Sequence, residues 1–442
     1  MGDQVQRAQL RVESIRTGLT IGASVTAAFA LLLAFRRQQL AERTQQATEY
    51  DAGEKRVTEL YVKAADQLGS DKAPVRLAGL YALERLAQDN PAHRPSIVEV
   101  ICAYLRMPYT PPDNQPTQDA GEQPPADSPA PAAPTDATGD NDKLTVDPRE
   151  ERQVRLAAQR ILARHLRPTT SEEQPHPLYW GPKVTLDLTE AVLTDLDFTG
   201  CHLHNATFTN THLVGITKFD KATFSDGVRF DRATFGGDAK FDKATFNGLA
   251  GFGEATFGGI AGFAEATFDG EAWFAEVTFG GIAGFDKATF DGQAGFDKAT
   301  FNSLAWFGGA TFDSIAVFTA ATFGSVAAFG EAKFGGAAGF GEATFGDSAG
   351  FAEAAFNSVA RFDKATFSGD AGFDKATFDS IAVFTTATFG SVAGFDRATF
   401  SGDAWFDRAT FSGDAWFDRA TFNSNASFNW ATLAGTRYEG PV

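Results

Sequence analysis

Side chains able to do chemistry are sparse in this 442-residue chain, which holds 2 Cys and 6 His. The one ligand-like group is Cys201, His202, His204 and His212. Thiolate and imidazole are the donors that zinc and related ions take. These residues fall in a tract that reads as extended backbone, where successive side chains point to opposite sides. Cys201 then faces inward while His202 and His212 face outward, so the donors diverge and no metal is expected. The acid–base candidates are pairs such as Asp407-Arg408, which return at a fixed interval. A charge lattice facing water repeats in that way, whereas a catalytic centre breaks a repeat. Glycine pairs such as Gly258-Gly259 also recur, so they mark corners rather than a phosphate-binding loop. No catalytic residue, cofactor site or metal site is assigned, and the chain is not expected to be an enzyme.

Two repeats position these residues. In "LDLTEAVLTDLDFTGCHLHNATFTNTHLVG" the large residues Leu188, Leu193, Phe198, Leu203, Phe208 and Leu213 fall every five positions. Two places before each stands a small or apolar residue: Leu186, Ala191, Leu196, Cys201, Ala206 and Thr211. From Phe219 the pattern lengthens to F-D-K/R-A-T-F-x-G/S-x-A-x, and its copies run without a gap to Leu433. Ala-Thr-Phe supplies one short strand and Ala-x-Phe, as in Ala404-Trp405-Phe406, supplies the next. Eleven is thus five plus six, with one extra residue in every second corner.

The steric logic follows from strand geometry. Positions i−2 and i point inward and i−1, such as Thr410, points out. Around a narrow axis each face has room for one large inward residue only if its companion is small, which Ala beside Phe satisfies. Corners then need Gly, Asn, Asp or Ser. The expected inward ladder includes Leu193, Phe198, Leu203 and Phe208, then Phe230, Phe235, Phe373, Phe378, Phe395, Phe400, Phe406, Phe411, Phe417 and Phe422. Four faces make a coil of about 22 residues, onto which a five-residue tract can feed without losing register. Some ten such coils, with one or two from the five-residue tract, make a rod of roughly 50–60 Å at ~4.8 Å per coil. The deciding contact is Phe373 on Phe395 rather than on Phe384.

Composition agrees. Of 43 Phe, 39 lie between Phe219 and Phe428, so phenylalanine replaces the usual aliphatic core. The formal charge is −18, and the part from Phe219 onward carries 28 acidic against 15 basic residues. Such a surface disfavours direct binding to nucleic-acid phosphates and suits protein partners.

Ahead of the repeats the chain changes character four times. Residues 1–54 hold an uncharged stretch at about 17–35, "TGLTIGASVTAAFALLLAF", flanked by Arg16 and Arg36-Arg37. Its length at ~1.5 Å per residue matches a bilayer core, so a single transmembrane helix is expected, with the bulk of the chain on the cytoplasmic side. Residues 55–107 read as a HEAT-like helical module with Ser70-Asp71 at a helix start and Asn90-Pro91 at its end. Residues 108–146 are a Pro/Ala/Asp-rich linker expected to lack a packed core. Residues 147–179 form a further helix and cap, and 180–442 the repeats.

The small-x-large signature at five-residue spacing resembles that of pentapeptide-repeat proteins. Anchor, helical segment "QLGSDKAPVRLAGLYALERLAQD" and repeats together resemble the membrane-anchored actinobacterial type. The resemblance implies a mainly β fold, a right-handed quadrilateral β-helix, and a non-enzymatic role. The expected function is a membrane-anchored scaffold presenting a rigid acidic rod to protein partners of unknown identity. The alternative is a DNA mimic that occupies the DNA site of gyrase or another DNA-binding protein. A column of outward threonines (Thr388, Thr399, Thr410, Thr421) resembles ice-binding ladders, but the neighbouring columns are Gly, Ala, Val and Trp. With only "NWATLAGTRYEGPV" after the last repeat, an exposed final coil could pair with a second copy, pointing to a homodimer.

Overall fold

The computed structural model describes residues 2–112, 147–168, 178–181 and 183–441. It divides into two units, Met1–Asp66 and Gln67–Val442. Most of the expected linker, 113–146, lies outside the described residues.

The first unit is the body of helix α1 (Gly2–Leu68). Among the described residues no helix is long and apolar enough to cross a membrane. The span expected at 17–35 is therefore not found, and the side chains of 20–29 at its centre lie outside the described residues. Leu31, Leu32, Leu33 and Phe35 are exposed on this helix.

The second unit opens with three helices: α2 (Ala73–Asp89), α3 (Arg94–Arg106) and α4 (Pro148–Leu166). Pro occupies the first turn of each, where its missing N–H costs nothing. Lys72, not Ser70 or Asp71, is the N-cap residue of α2, and its N–H donates to the Ser70 hydroxyl. Asn90 closes α2 as the sequence predicts, and Asp147 caps α4 by accepting from the Arg149 N–H. Leu80, Leu83, Ile97, Ile101, Val154 and Ile161 are sealed in the core between them.

From Thr185 the chain winds into a solenoid of two- and three-residue strands. Four parallel sheets of 12, 13, 10 and 11 strands form its sides, in chain order faces 1 to 4, starting at Thr185, Val192, Thr217 and His202. The only antiparallel pairing among the described strands joins Thr432–Leu433 to Thr436–Arg437 at the end of face 2. Partners along each face of the eleven-residue region are one coil of 22 residues apart, as in Ala250 with Ala272 and Thr245 with Thr267.

The five-residue tract joins this coil by two single-residue steps. Thr185 pairs with Asn205 and Val192 with His212, a coil of 20. Asp197 bridges Lys218 and His202 pairs with Thr223, a spacing of 21. Ala206 then pairs with Val228, and 22 holds from there. One added residue falls between Leu213 and Lys218, the other between Phe224 and Val228, so the ladder bends at two corners instead of breaking.

Phenylalanine fills the interior. From Phe219 to Phe411 every ladder Phe is at most 1 % exposed. Rings one coil apart lie flat on each other, and rings across the axis meet edge to face. Each buried side chain contributes about 1.5–3 kcal/mol by transfer, and each aromatic pair roughly 0.5–1.5 kcal/mol more. The alanine two positions back is fully buried beside it, as the size argument requires. Leu193, Phe198, Leu203 and Phe208 join the same core. Phe417 is 8 % exposed and Phe422 is only part-buried, because the ladder runs out above them.

Candidate interaction surfaces

The outside of the solenoid is built by its corners. In each eleven-residue unit the tripeptide after the first Phe turns sharply, and the Ala amide closes the turn on the Phe carbonyl, as from Ala398 to Phe395 at 3.0 Å. The third residue of that turn takes left-handed geometry, for example Lys375 at φ 57°, Arg397 at φ 57° and Glu353 at φ 60°. Glycine is the residue that geometry favours, yet it fills the position only at Gly309 in the eleven-residue region. Charged side chains stand at the rest because each of these corners is also held by its own amide. The Arg397 N–H donates to the Asp418 carbonyl of the next coil at 2.8 Å.

The aspartate beside it has a second duty. Asp407 accepts through Oδ1 from the Asn429 N–H at 2.9 Å, one coil on. Asp242 does the same for Ala264 at 2.9 Å, and Asp374 for Asp396 at 3.1 Å. The sequence reading placed these aspartates in a solvated lattice; they are also acceptors for corner amides that no strand partner reaches. The signal was present as Asp at a fixed corner position, but its partner lies 22 residues away.

The charged columns are mixed in sign. Glu276 pairs with Lys298 at 2.9 Å, Glu342 with Lys364 at 2.8 Å and Glu353 with Lys375 at 2.6 Å, each across one coil. Asp220, Asp286 and Asp297 are pushed above the ordinary carboxyl range, first by burial. For Asp220 the neighbouring Asp242 adds to that rise.

The Cys-His group is dispersed as expected from strand alternation. Cys201 is buried under α4, its thiol donating to the Ala163 carbonyl at 3.6 Å, and burial pushes it up to about 12. His202 meets Tyr179 edge-on at 6.4 Å, and burial lowers its pKa. His212 is exposed on face 2. Among the described residues no three His, Cys, Asp or Glu side chains stand together as a metal site. Cys102 is likewise buried, with its thiol pushed up to about 12 by burial.

At the N-terminal end of the solenoid α4 replaces a coil. Gln159, itself buried, donates to the Thr194 carbonyl at 2.8 Å and accepts from the Thr194 N–H at 3.1 Å. Its amide thus pairs as a strand residue would. Around it Arg152 holds Asp195 at 3.2 Å, Arg167 holds Asp197 at 2.9 Å, and Arg106 pairs with Asp187. Burial raises the Asp197 pKa, but hydrogen bonds from Thr199 and the charge of Arg167 outweigh it, so the carboxyl titrates below its ordinary value. Asp187 is lowered in the same way by Thr189 and Arg106. Trp180 stacks on His165 at 4.0 Å, and His165 Nε2 lies 2.8 Å from Glu84. Beneath them Glu151 gathers Arg76, Arg155 and the Tyr104 hydroxyl within 3.0 Å. None of these contacts was legible in the sequence beyond the expectation that the helix and Trp180 cover this end.

A family model described as pentapeptide repeats matches in nine copies, among them residues 188–234, 198–245, 230–278, 241–289, 274–322 and 384–432. The chain belongs to the pentapeptide-repeat family. No curated protein and no solved structure matches it. Within the pentapeptide-repeat solenoid the eleven-residue unit is a pair of pentapeptides with one inserted corner residue, as the pairing register shows.

The far end of the pentapeptide-repeat solenoid is closed on one side only. The hairpin strand Thr436–Arg437 covers face 2, and Tyr438 lays its ring edge-on against Phe411 and Phe428 at 5.8 and 5.5 Å. Faces 1, 3 and 4 end at Ala426–Ser427, Ala415–Trp416 and Thr421–Phe422, with no further partner strand among the described residues. The sequence reading foresaw an open last coil and missed this hairpin, whose turn is Ala434-Gly435 with both residues at positive φ.

Proposed function

We propose that the protein is a non-enzymatic scaffold whose acidic solenoid presents regular faces for protein–protein contact, held at a membrane by residues 17–35. The observation that carries the scaffold reading is the mixed-sign corner lattice, in which Glu276, Glu342 and Glu353 each have a lysine one coil away. A mimic of duplex DNA needs an unbroken negative stripe, and lysines at these positions interrupt one. The hydropathy of 17–35 between Arg16 and Arg36-Arg37 supports the anchor, with the bulk of the chain cytoplasmic. The coil is taken as right-handed, the hand nearly all parallel crossovers adopt.

The second reading, a DNA mimic acting on gyrase or another DNA-binding protein, draws support from the excess of acidic over basic residues, 28 against 15, from Phe219 onward. End-to-end pairing of two copies is supported by the three uncovered edges of the last coil.

The test is a pull-down from a native membrane extract with the full chain in mild detergent, alongside a gyrase supercoiling assay. Specific partners eluted without loss of gyrase activity fit the scaffold. Inhibition of supercoiling near equimolar protein would replace it with mimicry. Deleting 17–35 should move the chain from the membrane fraction to the soluble one, and retention in membranes would refute the anchor.

A further inference from the structure

Outward residues on face 3 form one column, with Lys218 and Lys240 first, then Gly262, Gly284, Trp306 and Ala328. Gly350, Gly372 and Gly394 continue it, so its two lysines are the only charges before Trp416. On the corner beside it Ile260, Ile282, Leu304 and Val326 occupy four successive coils, Ile260 at 47 % exposure. An apolar ridge flanking a half-exposed indole, Trp306 at 46 %, is the pattern of a contact surface.

The glycines of this column are not required by the solenoid. A Cβ on Gly284 would meet nothing closer than 3.9 Å, and one on Gly350 nothing within 4 Å. None of the face 3 glycines has a positive φ. Glycine in a strand with no local need marks close approach of another surface. Face 1 shows what fits there: the Trp273 indole lies across Gly295 of the next coil, where a Cβ would stand 2.6 Å from the ring. Trp306 has Ala328 in that place and keeps its ring half exposed.

We infer that face 3 is an antiparallel self-association surface in which Trp306 of each copy seats on Gly284 of a second copy of this chain. A two-fold axis across the face, midway between the coils of Gly284 and Trp306, reverses the column and keeps the ridge on its own side. Ile282 then meets Leu304, and Ile260 meets Val326. The same operation brings Lys240 to the coil of Gly350 and Asp347, and Lys218 to that of Gly372 and Asp370. Opposite charges therefore close both ends of the apolar strip; a parallel arrangement would set lysine against lysine. Asp238, the acid on the basic half of this corner, is already accepting from the Ile260 N–H at 3.0 Å. The eight overlapping coils span roughly 38 Å at ~4.8 Å each, and a strip about 20 Å wide buries on the order of 800 Å² per partner, the size of a standard interface.

The test is sedimentation of the full chain in mild detergent, with folding followed by far-UV circular dichroism. Trp306→Gly and Gly284→Trp should each weaken the dimer by at least about tenfold, the first by removing the knob and the second by filling its seat. The double variant Trp306→Gly/Gly284→Trp exchanges knob and seat and should regain most of the affinity. Lys240→Glu, a surface change that spares the fold, should also weaken it. A chain that stays monomeric, a dimer indifferent to these variants, or a double variant no better than the singles would overturn the inference. End-to-end pairing through the last coil is unaffected by any of these substitutions, so a dimer that ignores them belongs to that contact instead.

Discussion

Phe373 lies flat on Phe395, ring centroids 4.9 Å apart and planes 3° from parallel, while Phe384 meets it edge-on at 5.5 Å and 87°. That relationship fixes the coil at 22 residues, since the next coil must bring the residue 22 positions on directly above. It also makes each ring part of two contacts along the axis and further contacts across it.

Replacing Phe373 with Ala should therefore be costly. The ring is fully buried and its neighbours cannot collapse without breaking two ladders, so a loss of about 3–5 kcal/mol is expected. Leu at the same place keeps most of the volume and should cost less. Urea unfolding followed by circular dichroism reads both, and equal effects for Ala and Leu would contradict a packing role.

The Gln159 amide closes the N-terminal edge by meeting both backbone groups of Thr194. Gln159→Leu leaves a buried N–H and a buried C=O unpaired, with an expected cost of about 1–3 kcal/mol for each unsatisfied group. Hydrogen exchange at the Thr194 amide should accelerate well before global unfolding. Unchanged protection there would show that another group closes the edge.

The corner aspartates predict a difference between two conservative changes. Asp407→Ala removes the acceptor for the Asn429 N–H and should cost about 1 kcal/mol, whereas Asp407→Asn keeps an oxygen in place and should cost little. Melting temperatures of the two variants decide it; matching losses would assign the effect to charge rather than to the hydrogen bond.

Acid should act unequally on the two ends of the unit. Asp187 and Asp197 titrate below their ordinary value in the folded chain, so their stabilising contribution is present above about pH 4 and fades as pH falls through the folded pKa. Asp220, Asp286 and Asp297 are raised, so the folded solenoid binds their protons more tightly and gains relative stability as pH falls toward 4. Between pH 7 and pH 3 the helical cap should loosen while the coils persist. Trp180 fluorescence in a variant lacking the other tryptophans would report the cap, and far-UV circular dichroism the coils. Simultaneous loss of both signals would count against separate control.

The sequence alone determined the repeat, the inward ladder and the size of the coil. Its period of two along each short strand, with Ala opposite Phe, leaves one way to fill a narrow four-sided core. Gly and Asp marked the corners for the same local reason. What each corner residue touches was decided only by tertiary structure. Glu276 pairs with Lys298 and Asp407 with the Asn429 amide because one coil, not one repeat, separates neighbours along a column. Gln159 gave no sign of its role, because an amide becomes a strand partner only where a helix is laid against an open edge. The hairpin at Ala434-Gly435 was hidden in the same way, since its strand is two residues long and gains its place from Tyr438 packing on Phe411 and Phe428. Local size and period act within a few residues and can be read along the chain. Contacts between coils depend on which faces are brought together, and that is set only when the whole solenoid closes.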